Sequence, residues 1–146
     1  MMGVVFATFL VSQSCKKGSG PGESVEDIQL KKLSKTWNFA TAKLDNVDQA
    51  GYDNFALTIT GTAGNTSFGY STTGRPQLSP WPSSGTWSFD TTSPETGIVR
   101  DPGTSDELAI TYAVTDTQLQ ITFTFNGAGY PARTSNVKGQ WVFTFQ

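Results

Sequence analysis

The chain has 146 residues, 36% apolar, 15% charged and 12% aromatic, with a single Cys and no His, enough for one ordinary globular domain. Without His, the Ser-His-Asp and Cys-His nucleophile pairs and the commonest zinc and haem ligand are excluded. Lys+Arg 10 against Asp+Glu 12, a net charge of −2, excludes an electrostatic nucleic-acid binder, because phosphate affinity needs clustered cations, and a lone Cys forms no internal disulfide.

Residues 3–11 form an apolar run too short to span a bilayer, followed by Ser12, Gln13 and Ser14 and then by Cys15. An apolar run closed by small residues reads as a secretory signal with its cleavage site. With Cys15 next in line, the segment resembles the lipobox of bacterial lipoproteins, although Ser12 stands where that motif usually carries Leu and no Lys or Arg precedes Gly3. The resemblance implies cleavage after residue 14, lipidation of Cys15 and anchoring in the outer membrane of the cell envelope through that lipid. Residues 15–23, with Lys16, Lys17 and a Gly-rich stretch, bury no apolar surface and read as a flexible tether. The folded body is then 24–146.

Ser24 followed by Asp27 is an N-cap signature, and Ile28, Leu30 and Leu33 supply the apolar positions of a short helix that ends by Ser34. From Trp37 onward the pattern has period two, is rich in Thr, Phe, Trp and Ile, and is broken by Gly, Pro, Asn and Asp. It predicts eight strands at 36–44, 54–60, 67–73, 85–90, 97–101, 107–115, 118–125 and 138–146. Leu108, Ile110, Tyr112 and Val114 share one face, as do Leu119, Ile121, Phe123 and Phe125, while Thr111, Thr115, Thr122 and Thr124 take the other. One apolar and one Thr-rich face fits an all-β, eight-stranded antiparallel up-and-down barrel with a short N-terminal helix; a β-sandwich is the alternative that periodicity leaves open.

Trp and Phe stand two apart in Trp37 and Phe39, Trp87 and Phe89, and Trp141 and Phe143. With the short helix before it, the first copy resembles the Gly-x-Trp signature of the lipocalin superfamily, Lys35 replacing the Gly. Together with the leader and the eight-strand pattern, the chain resembles the lipocalin-like (calycin-type) outer-membrane lipoproteins. That resemblance implies that Trp37 closes the narrow end of the barrel, and it implies no settled ligand.

In an up-and-down barrel the odd-numbered connections share one end. Here they are 45–53, 74–84, 102–106 and 126–137, and most are long; the even ones, 61–66, 91–96 and 116–117, are shorter. Long loops on a rigid scaffold are where binding concentrates. The odd loops offer Tyr52, Arg75, Trp81, Tyr130 and Arg133, residue types that suit a protein or glycan partner. For Trp81, between Pro80 and Pro82, an exposed platform and a plug folded into the barrel mouth are both open. The abundance of inward aromatics favours a filled barrel, with a carrier of a small apolar ligand as the second reading.

Asp45, Asp48 and Asp53, and Asp101, Asp106 and Glu107, fit no calcium-loop spacing and suit turn hydrogen bonding. Nor does the spacing place a carboxylate pair for acid and nucleophile roles. The expectation is a non-catalytic binding or accessory module with no cofactor, no metal and no nucleic-acid partner.

Overall fold

The computed structural model describes residues 22–131 and 137–146. The expectations for the leader, for Cys15, for most of the tether and for Arg133 lie outside these residues.

The helix α1, Val25–Leu33, starts where the cap predicts: Ser24 is in extended conformation and its side chain accepts from the backbone N–H of Asp27 at 3.1 Å. Glu26 and Asp27 in the first turn and Lys31 and Lys32 in the last complement the helix dipole. Leu30 and Leu33 turn inward and are buried.

Among the described residues eleven strands follow: β1 Thr36–Leu44, β2 Val47–Asp48, β3 Ala56–Thr60, β4 Phe68–Thr73, β5 Leu78–Ser79, β6 Ser84–Phe89, β7 Gly97–Arg100, β8 Leu108–Val114, β9 Leu119–Phe125, β10 Tyr130–Pro131 and β11 Gly139–Phe145. The main sheet runs β11-β9-β8-β7-β6-β4-β3-β1, with β2 as an extra hairpin strand on β1. It closes because β11 also pairs antiparallel with β1, Ala42 opposite Phe143 and Leu44 opposite Trp141. The architecture is therefore the closed eight-stranded antiparallel barrel, and closure removes the sandwich alternative.

Each predicted strand coincides with an observed one to within two residues at either end, because inward side chains alternate without interruption along most of the wall. β1 is the exception. A bulge between Phe39 and Thr41 shifts its phase, so that Trp37 is buried on one register and Ala42 on the next, while Phe39 is only half-buried.

The barrel has two unlike ends. At one, α1 lies beside the 61–66 and 91–96 turns, where Leu30 reaches so close to Gly61 that a Cβ there would stand 2.4 Å from Leu30 Cδ1. Trp37 is buried at this end and its indole N–H donates to the Leu33 carbonyl at 2.9 Å, tying the helix to the first strand. At the other end emerge the long connections. Two of these, from the β4–β6 and β9–β11 sides, are zipped together by a two-stranded ribbon in which Tyr130 pairs with Ser79. These strand pairs face each other across the barrel in the sheet order, so the ribbon crosses the mouth.

Candidate functional site

The segment 74–83 is a strap that leaves β4, crosses the mouth and dips inward before β6. Gly74 makes the turn with φ +64°, and a Cβ there would lie 1.8 Å from the Asn54 carbonyl oxygen, so the backbones meet where only Gly fits. Ser79 and Pro80 are fully buried, and Trp81 is 2% exposed. Its ring stands 5.6 Å from Phe123, 6.0 Å from Tyr70, 6.0 Å from Phe143 and 6.3 Å from Phe55, rings of strands or loops on several sides of the barrel. Trp81 is thus the plug, and the exposed platform is corrected.

Four hydrogen bonds hold the strap: Arg75 Nη1 to the Trp81 carbonyl at 2.6 Å, Thr72 Oγ1 to the Pro82 carbonyl at 2.7 Å, Arg100 Nη1 to the Pro80 carbonyl at 2.9 Å and the Trp81 N–H to Ser79 Oγ at 3.1 Å. Arg75, half-buried, therefore works within the strap through Nη1. Tyr52 is corrected: it is buried at 2% exposure against Phe55, Trp141 and Phe143, and presents no ring at the surface. Burial raises its pKa to about 12, against a smaller opposing pull from Ser79.

Arg100 is the inward residue that sequence reasoning missed. It ends β7 in the same phase as Ile98, is 1% exposed, and lies with its guanidinium carbon 5.4 Å from the Trp81 ring centroid. Its Nε stands 3.4 Å from Asp101 Oδ2 but makes no hydrogen bond. Asp101 in turn accepts from the Tyr70 hydroxyl at 2.8 Å and from the Thr86 N–H at 2.9 Å. Burial and this bond to a carboxylate drive the Tyr70 hydroxyl far above the ordinary tyrosine range. The buried pair holds the strap from below. An Arg at an inward phase beside an Asp was the available sequence signal.

The indole N–H groups of Trp37, Trp87 and Trp141 donate to the carbonyls of Leu33, Gly69 and Val137, whereas that of Trp81 has no partner. An unpaired buried donor costs about 1–3 kcal/mol. Packing and the strap's other bonds outweigh it.

With Trp81 and Tyr52 inside, the interior void is about 20 Å³, lined by residues such as Leu57, Ile59, Ile98 and Ile121. That is room for a single water at most, against roughly 300–1,000 Å³ for a small-molecule pocket. Among the described residues the barrel interior is filled by side chains.

Open space at the loop end lies elsewhere, in a cleft of about 400 Å³ between the 101–107 and 125–130 segments. One wall is stiffened by short bonds: Gly103 N–H to Glu107 Oε2 at 2.6 Å, and Thr104 Oγ1 to the Asp101 carbonyl at 2.8 Å. The other carries Asn126, Gly127 and Tyr130, whose ring sits 6.2 Å from Phe125. Arg100 reaches this cleft as well as the interior. Tyr130 is half-buried, and burial followed by the nearby Asp106 raises its pKa to about 12. Tyr130 lines the cleft, with Asp106, Glu107 and Asn126 beside it.

A second hollow of about 450 Å³ lies by the start of α1, between Asp27, Asn65 and Asp90. The Asp90 carboxylate there is already engaged by the N–H groups of Thr92 and Ser93 and the Thr92 hydroxyl, which hold its pKa down. Asp45 likewise accepts from the Gln140 N–H at 2.8 Å, so the acids of the first long loop do not converge. Among the described residues no group of three or more potential metal ligands converges, and no helix is long and apolar enough to cross a membrane.

The chain matches no protein-family model, no curated protein and no solved structure.

Proposed function

We propose that the protein is an envelope-tethered, non-catalytic binding module of lipocalin-like type that engages its partner through the long-loop end. The observation that carries this reading is the division of space at the barrel mouth: the interior is stoppered by Trp81, while the adjoining cleft of about 400 Å³ stays open. Tethering is argued from the apolar leader and the position of Cys15. The described chain enters at α1, beside the short turns and at the opposite end of the barrel from the long loops.

A photo-crosslinking residue placed at Ser105, on the cleft, or at Asn65, at the opposite end, tests the assignment in the full chain in its native membrane. Adducts formed from Ser105 and not from Asn65 support it. Equal adducts from both positions, or none from Ser105, overturn it.

A further inference from the structure

We infer that the cleft between the 101–107 and 125–130 segments carries a self-modification site, at which Asn126 converts spontaneously to aspartate and isoaspartate through a cyclic imide closed by Gly127. The inference goes beyond the binding reading and does not depend on it. Of the chain's six asparagines only Asn126 is followed by Gly; Asn38, Asn46, Asn54, Asn65 and Asn136 precede Phe, Val, Phe, Thr and Val. A following residue without a Cβ leaves its amide nitrogen open to approach by the side chain before it.

The fold leaves this pair unprotected. The β9–β11 ladder ends where Phe125 meets Gly139, so Asn126 and Gly127 lie just past it. Both are exposed and both line the cleft, in contact with solvent. Asn38, by contrast, is held in β1, where its backbone exchanges hydrogen bonds with Gln146. The fold also keeps Gly in the second place. A Cβ on Gly127 would stand 2.6 Å from Phe125 Cζ, and that ring is buried beside Tyr130. The side chain that would slow the reaction has no room there, so the labile pair is built into the cleft wall.

The chemistry needs only water. The Gly127 amide nitrogen gives up its proton and attacks Asn126 Cγ; the new C–N bond forms as the Cγ–Nδ2 bond breaks, and the side-chain nitrogen takes up a proton and leaves as ammonia. Water then opens the ring. Cleavage of the new bond gives aspartate, and cleavage of the original peptide bond gives isoaspartate with the main chain running through Cγ. The first product adds a carboxylate to a cleft already lined by Asp106 and Glu107. The second lengthens by one carbon the segment that joins β9 to Tyr130 and its pairing with Ser79.

The test is peptide mass spectrometry with isoaspartyl methyltransferase labelling, followed over time on the full-length protein in detergent micelles and on the same chain unfolded in urea. Asn126 is expected to convert first among the asparagines, and faster at mildly alkaline than at neutral pH, because the attacking nitrogen must shed its proton. Its native rate should lie within about tenfold of the unfolded rate, since the fold does not shield it. Asn126→Gln should leave the segment without isoaspartate, and Gly127→Ala should slow conversion about tenfold or more. Should Gly127→Ala lower the melting temperature, the same comparison in urea, where packing plays no part, still reads the effect of the added Cβ. A native rate more than about tenfold below the unfolded one, earlier conversion at another asparagine, or a rate in urea unmoved by Gly127→Ala each overturns the inference.

Discussion

Arg100 Nη1 donates to the carbonyl of Pro80 at 2.9 Å, so a cation on the barrel wall holds the strap that fills the barrel mouth. The same side chain pairs with Asp101 and lies over the ring of Trp81. Three functions of the interior, neutralising a buried carboxylate, anchoring a loop and covering an aromatic plug, thus meet in one residue.

Arg100→Leu should cost about 3–5 kcal/mol, the usual loss when one partner of a buried ion pair is removed. Urea unfolding measures it. The double variant Arg100→Leu, Asp101→Asn should recover part of that loss, since no uncompensated charge then remains. A single-variant loss under about 1 kcal/mol would show that the pair does not hold the mouth together.

Trp81→Ala should cost about 3–5 kcal/mol and leave an aromatic-lined hole. Thermal melting of the variant with and without indole reports the hole: indole should raise its melting temperature and leave that of the unaltered chain unchanged. All four tryptophans are buried, so iodide should quench native fluorescence far less than that of the urea-unfolded chain. Strong native quenching would place a tryptophan at the surface.

The tyrosines give a pH prediction with a definite sign. Tyr52 and Tyr130 are raised to about 12 by burial, and Tyr70 and Tyr112 are raised further by the same cause. The native state therefore keeps phenolic protons that the unfolded chain releases near pH ~10. Stability from these groups is fully present below pH ~10 and is lost as pH rises towards ~12. Absorbance at the phenolate band should stay low in the native protein at pH ~10 and rise together with the loss of tertiary structure. A normal titration in the folded state would contradict the burial.

Two glycines of positive φ separate backbone conformation from space. At Gly103, φ +75°, a Cβ meets nothing within 4 Å, and Gly103→Ala should cost about 1–2 kcal/mol, the conformational penalty alone. At Gly74 the Cβ would also strike the Asn54 carbonyl, and Gly74→Ala should cost clearly more, because the strap can no longer leave β4. Equal denaturation midpoints for the two variants would mean that the close approach is not rigid.

For the tether, Cys15→Ser should abolish incorporation of labelled palmitate and move the protein from the membrane fraction to the soluble one, since stable anchoring needs more than one acyl chain at the terminus. Labelling that persists in the variant would remove Cys15 as the anchor.

The barrel was legible in the sequence because its wall repeats. Residues such as Ile110, Tyr112, Ile121 and Phe123 alternate with Thr, and period two is the imprint of a sheet with one face indoors. The mouth was not legible for the converse reason. Trp81 lies in a loop without phase, so its direction depends on Arg75, Thr72 and Arg100, which reach it from other parts of the chain. The pairing of Ser79 with Tyr130 leaves no local trace, and the β1 bulge needs one residue out of step. In the cleft, aromatic composition pointed to Tyr130 but not to Arg100, because a charge at the end of an apolar strand reads as the strand's edge and not as part of the interior.

The seam between β1 and β11 joins Leu44 to Trp141, near opposite ends of the described body. Its consequence is kinetic. A wall that closes only when its first and last strands meet requires the longest loop closure in the chain before its hydrogen bonds form, which makes for slow folding. Until β11 arrives, β1 and β9 each present an unpaired edge to any neighbouring chain. Newly made copies are therefore most exposed to aggregation just before their final strand docks, and any assistance in folding is needed at that step.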